Sequence, residues 1–159
     1  MAVQSWQIWL SLHIVGVLAF VGAHGVSMFV LFRIRKERDR ARLAELISLS
    51  GETAMPMYIS LGVLLAGGIG TALVLRLFSF WWIWTSLFVL LIEVALMTAI
   101  AKPYFKSITA ATAIRPSGVP RVSDEELDSL LRSGEPLAIT LIGVAGLLII
   151  LWMMIFKPF

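Results

Sequence analysis

The chain has 159 residues, 59% of them hydrophobic and 14% charged, with a formal net charge of +3 and no cysteine. Soluble domains carry about 25% charged residues, so this composition excludes water as the main solvent, and the missing thiols exclude disulfides, thiolate metal ligation and cysteine catalysis. The cations cluster between apolar stretches, a pattern of membrane topology rather than of nucleic-acid recognition, and no nucleic-acid partner is expected.

Trp6 to Phe32 carries no fixed charge and exceeds the roughly 20 residues needed to cross about 30 Å of hydrocarbon, so 6–32 is the first predicted span. Met1 to Gln7 lacks the basic opening of a cleaved signal, and the apolar run is too long for one, so this helix is expected to remain. The segment RIRKERDRAR, Arg33 to Arg42, then supplies six basic residues, which marks a loop that is not translocated. Leu43, Leu46 and Ile47 recur at helical spacing and predict a helical extension or an interfacial helix.

Pro56 suits a first helical turn, and the uncharged run to Leu75 predicts a second span at 56–75. After Arg76 a tight loop leads to the third span, 81–101, expected to stop at Lys102-Pro103 because proline discourages further helix. Between Lys106 and Glu135 the chain turns polar. Ser123 with Glu126 forms a capping box that predicts a short amphipathic helix through Leu130 and Leu131. Pro136 opens the fourth span, 136–156, before Lys157.

The two long loops hold eleven of the thirteen basic residues. Both are therefore expected in the cytoplasm, with both termini outside. All six tryptophans, Trp6, Trp9, Trp81, Trp82, Trp84 and Trp152, fall at helix ends assigned to the outer face, where indoles favour the interface. The expected fold class is an all-α integral membrane protein: one domain, 1–159, a four-transmembrane-helix bundle with a short amphipathic helix in the second cytoplasmic loop. The expected location is a bacterial inner membrane, with lipid as the first partner.

The histidines are His13 and His24. Eleven residues of helix rotate about 1100°, leaving them roughly 20° apart on one face and about 16 Å apart along the axis. Such a face suits two stacked cofactors or one path, and equally a packing contact to a neighbouring carbonyl or hydroxyl. Gly22, Ala23 and Gly25 clear bulk beside His24. Gly62, Ala66 and Gly70, with Gly67, Gly68, Gly143 and Gly146, read mainly as helix-contact grooves.

Glu93 sits mid-span, where a carboxylate must find a partner or become protonated. It lies as far from Lys102 as His24 does from Arg33, so the two share a depth and His24 is its expected partner. Such a pair suits a proton relay, a metal site, or a carboxylate that braces a ligating imidazole. Met28 is one turn from His24 and Met97 one turn from Glu93. Thioether with imidazole suits Cu(I), a methionine can be a sixth haem ligand, and methionine also simply fills apolar gaps. Met55 and Met57 add a weaker pair. No nucleotide loop, zincin motif or nucleophile elbow is present.

The stretch WQIWLSLHIVGVLAFVGAHG, Trp6 to Gly25, resembles the first helix of small bacterial four-helix membrane families. These are the copper-resistance CopD proteins, the haem-binding HemJ oxidases and a related family of unknown function; L-H-x-x-G at Leu12 to Gly16 carries the likeness. The resemblance implies a haem b or copper role with His13 at the matched position. Both histidines share one helix here, so a bis-histidine haem within one chain is impossible. Haem would need a His-Met pair, an open sixth position, or a symmetric dimer. The reading that follows is a haem b-binding protein in electron transfer or haem-linked redox chemistry, with a redox partner. His24 or His13 is the axial ligand, Met28 or Met97 the further donor, and Glu93 the supporting carboxylate. The alternative is a copper- or proton-handling transporter, or an accessory subunit of a larger membrane complex, without enzymatic activity, with His24 and Glu93 on the path.

Overall fold

The computed structural model describes residues 4–159; Met1 to Val3, part of the stretch read for a missing leader, lie outside the described residues. The helices are α1 (Ser5–Ile34), α2 (Arg40–Glu52), α3 (Ala54–Val74), α4 (Trp81–Thr112), α5 (Asp124–Leu131) and α6 (Glu135–Phe156). A 3-10 turn at Leu77–Ser79 follows Arg76, whose φ of 55° turns the chain out of α3. The described residues contain four helical runs long and apolar enough to cross a membrane, because α2 continues almost directly into α3 and α5 into α6. The chain is thus an all-helical four-helix membrane bundle.

One boundary differs from the sequence expectation. α4 does not stop at Lys102-Pro103 but continues to Thr112, with Pro103 inside it. An interior proline costs about 3 kcal/mol, but the extension buries Tyr104, Ile108 and Ala111 against Leu43, Leu127 and Leu131. Burying one large apolar side chain is worth about 1.5–3 kcal/mol, so packing outweighs the local signal. The stretch after Arg38 folds as helix α2, capped by Asp39, whose carboxylate accepts from the amides of Ala41 (2.8 Å) and Arg42 (3.2 Å). Leu43 is fully buried, and Leu46 and Ile47 pack on the same core. The apolar stripe of α2 is therefore covered by protein.

α1 packs along α3, and α4 along α6, while contact between the two pairs is sparse. Small residues set the first pairing: Gly67 of α3 faces the backbone of His13, Gly70 faces the Trp9 ring, and Gly16 of α1 faces Leu64. Small residues at a helix interface let backbones approach closely. The pairs are joined at both ends. At the loop end Val30, Leu31 and Ile34 meet Leu43, Tyr104, Ile108, Leu127 and Ile139. At the other end Ala72, Trp82 and Ile83 form a smaller cluster. Trp82, expected as an interfacial indole, is buried there beneath the Lys157 ammonium, 5.8 Å from its ring centre.

Candidate functional site

Between the pairs lies a cavity of about 450 Å³, walled by α1, α2, α3, α4 and α6. That size falls within the range of about 300–1,000 Å³ typical of ligand pockets. Its walls are mostly apolar, but His24, Met28, Glu93 and Met97 all contribute to them. Lys102 and Lys106 line it further along α4.

His24 and Glu93 converge on one surface of α6. The Nε2 edge of His24 fills the space that a side chain at Gly143 would occupy, with the Met97 methyl in ordinary contact beside it; the Glu93 carboxylate fills the space at Gly146. Residues three apart on a helix are neighbours on its face, so the two groups sit within about one turn of each other in height. No hydrogen bond joins them among the described residues. His24 instead stacks on Phe20, with ring centres 5.8 Å apart and planes 10° from parallel. Both side chains are half-buried.

His13 belongs elsewhere. Its Nδ1–H donates to the Leu64 carbonyl at 2.8 Å, because a carbonyl can only accept. Its ring lies over Gly68. This bond ties α1 to α3 and leaves His13 outside the cavity walls. The two imidazoles, on one face by sequence count, thus serve different neighbours. Met57 lines the cavity, whereas Met55 is exposed. Gly22 and Gly25 meet nothing within 4 Å, so they leave open space beside His24 rather than a helix contact.

Two features escape local sequence reading. Ser27 and Ser50 line the cavity, and with Thr53 they form a hydroxyl chain linking α1 to the α2–α3 junction: Ser27–Ser50 3.1 Å, Ser27–Thr53 2.8 Å, and Thr53 Oγ1 to the Ser50 carbonyl 2.7 Å. Thr53 must donate to that carbonyl, so Ser27 donates to Thr53 and Ser50 donates to Ser27; each proton is used once. The second is Arg40. Its guanidinium donates to the carbonyls of Ala111 (2.7 Å) and Val122 (2.9 Å) and pairs with Asp124 (2.7 Å). A side chain that reads as a topological charge instead clasps α2, α4 and α5 together.

What fold and site define is a class, a multi-pass α-helical membrane bundle with polar groups in the wall of a largely apolar, half-open cavity. No protein-family model matches the chain, and no curated protein or solved structure matches it.

Proposed function

We propose that this protein binds haem b within the membrane and acts in electron transfer or haem-linked redox chemistry, with both long loops in the cytoplasm of a bacterial inner membrane. The observation that carries this is the apolar cavity with an imidazole and three thioethers, those of Met28, Met57 and Met97, in its wall. The donor chemistry suits haem iron, which takes histidine and methionine as axial ligands. Lys102 stands about 8 Å further along α4 than Met97 by helical rise, and with Lys106 it offers cations for carboxylates at the edge of a macrocycle. His24 of α1 and Met97 of the facing helix α4 would hold the group; Met28 shares α1 with His24 and lies on the same side, so it is the weaker donor. His13 is already bonded to Leu64 and is the weaker candidate. Bound haem supplies a one-electron couple whose potential follows these donors. Nε2 of His24 rests against Gly143, so ligation through that nitrogen requires the ring to leave the notch. Glu93, about one turn away on the same α6 surface, would brace the imidazole or hold a proton.

The test is the absorption spectrum of protein purified after expression with ample haem. A Soret band lost in His24→Ala and kept in His13→Ala is expected. Absence of the band in the wild type overturns the reading.

One observation favours a second reading, a copper- or proton-handling membrane protein without enzymatic activity. His24, Met97 and Glu93 gather on the Gly143–Gly146 surface of α6, a nitrogen, a thioether and a carboxylate close enough together to share one ion. The described residues hold no group of three or more His, Asp or Glu fit for a metal, so Cu(I) would rely on the thioethers and one imidazole. Calorimetric titration with Cu(I) separates the two: binding abolished by His24→Ala with no Soret band supports the ion, and no heat excludes it.

A further inference from the structure

The segment Arg33 to Arg42 is not one uniform basic surface. Arg40 is consumed by its bonds to α4, α5 and the loop between them. Arg38 is consumed as well: Nη1 donates to the carbonyls of Arg35 (3.2 Å) and Glu37 (2.9 Å), and Nη2 pairs with Asp128 of α5 at 2.5 Å. Asp128 also holds Nε of Arg132 at 2.7 Å, which carries a cation from the second long loop to the end of α1. The result is a notch lined by Phe32, Arg35, Lys36, Arg38 and Arg132. Neither Arg35 nor Lys36 makes a side-chain hydrogen bond or ion pair among the described residues. The outer nitrogens of Arg132 remain available.

The height of this notch suggests its occupant. α1 ends at Ile34, and on its last turns Phe29 and Phe32 are 67% and 42% exposed, so apolar surface gives way to cations within one turn. Phospholipids make the same transition between acyl chain and phosphate. We infer that the notch formed by Arg35, Lys36 and Arg132 is a binding site for the phosphate headgroup of an acidic phospholipid, whose chains run along Phe29 and Phe32. Asp128 positions the Arg132 guanidinium without neutralising the site, since Arg38 shares that carboxylate. Arg33 and Arg42 carry the same charge on the same segment but do not line the notch.

Native mass spectrometry of the detergent-solubilised protein, titrated with phosphatidylglycerol or with phosphatidylcholine, tests the site. Phosphatidylglycerol adducts are expected to persist where phosphatidylcholine adducts dissociate. A cation near an acidic headgroup contributes about 1 kcal/mol, roughly fivefold in affinity. The variant R35A/K36A/R132A should therefore lose roughly 100-fold, and R33A/R42A should lose little. Lys36→Glu, at an exposed position, tests the same notch by charge reversal should the triple variant unfold. Equal losses in the triple and double variants overturn the site, leaving net charge alone. Displacement of the lipid by millimolar inorganic phosphate also overturns it, in favour of a free anion.

Discussion

Gly67 and Gly146 both sit on helices packed against a neighbour, yet what each faces decides what a methyl group would cost. A Cβ at Gly67 would overlap the His13 backbone, whereas one at Gly146 would overlap only the Glu93 carboxylate. Backbone cannot yield without separating α1 from α3, so Gly67→Ala is expected to destabilise by about 1–3 kcal/mol, as overpacking does. Gly146→Ala should leave stability within about 1 kcal/mol while displacing Glu93 from the cavity wall. Unfolding in mixed detergent measures both. In the first long loop, the Glu37 carboxylate accepts from the amides of Asp39 and Arg38, and these bonds hold its pKa below the ordinary value. A depressed pKa means a contribution present above the ordinary carboxylate range and lost as pH falls through the lowered value. Exchange protection at the Arg38 and Asp39 amides should therefore drop in that acid window, and Glu37→Gln should remove the drop.

At the scale of elements, Arg40 bears more than its share. Removing it leaves the carbonyls of Ala111 and Val122 without their partner and Asp124 without its cation. A hydrogen bond to a charged group is worth about 1.5–3 kcal/mol, so Arg40→Ala should cost at least that much. Arg40→Lys should recover little, because an ammonium cannot bridge in the planar fork of a guanidinium. A thermal melt with wild type, Ala and Lys in parallel decides it. The membrane-crossing helices were legible because absence of charge over a long run is a local signal. The extension of α4 was not, because Pro103 speaks locally for an ending while Ile108 and Tyr104 are rewarded by residues far away in sequence. The matched depth of His24 and Glu93 follows from counting toward flanking cations. The glycine surface of α6 that receives both does not, since nothing local distinguishes Gly143 and Gly146 from ordinary contact glycines.

For the whole molecule, the densest packing lies at the loop end rather than along the apolar helices. Ile108 is 0% exposed within that core, while Leu18 is 68% exposed on α1. Ile108→Ala should cost about 2–5 kcal/mol, as buried large-to-small changes do; Leu18→Ala should cost little, because lipid substitutes for the lost methyls. Chemical unfolding of the two variants gives the comparison. The connectivity also repeats: α1, α2 and α3 form a long helix, a short helix and a returning partner, and α4, α5 and α6 do the same. Cutting the chain in the turn after Val74 would leave each antiparallel pair whole, and the chamber would exist only where two such fragments reassociate. Its walls are thus a seam between halves, and a guest that fills the seam should fasten them together, so that occupancy is read as cohesion of the split protein.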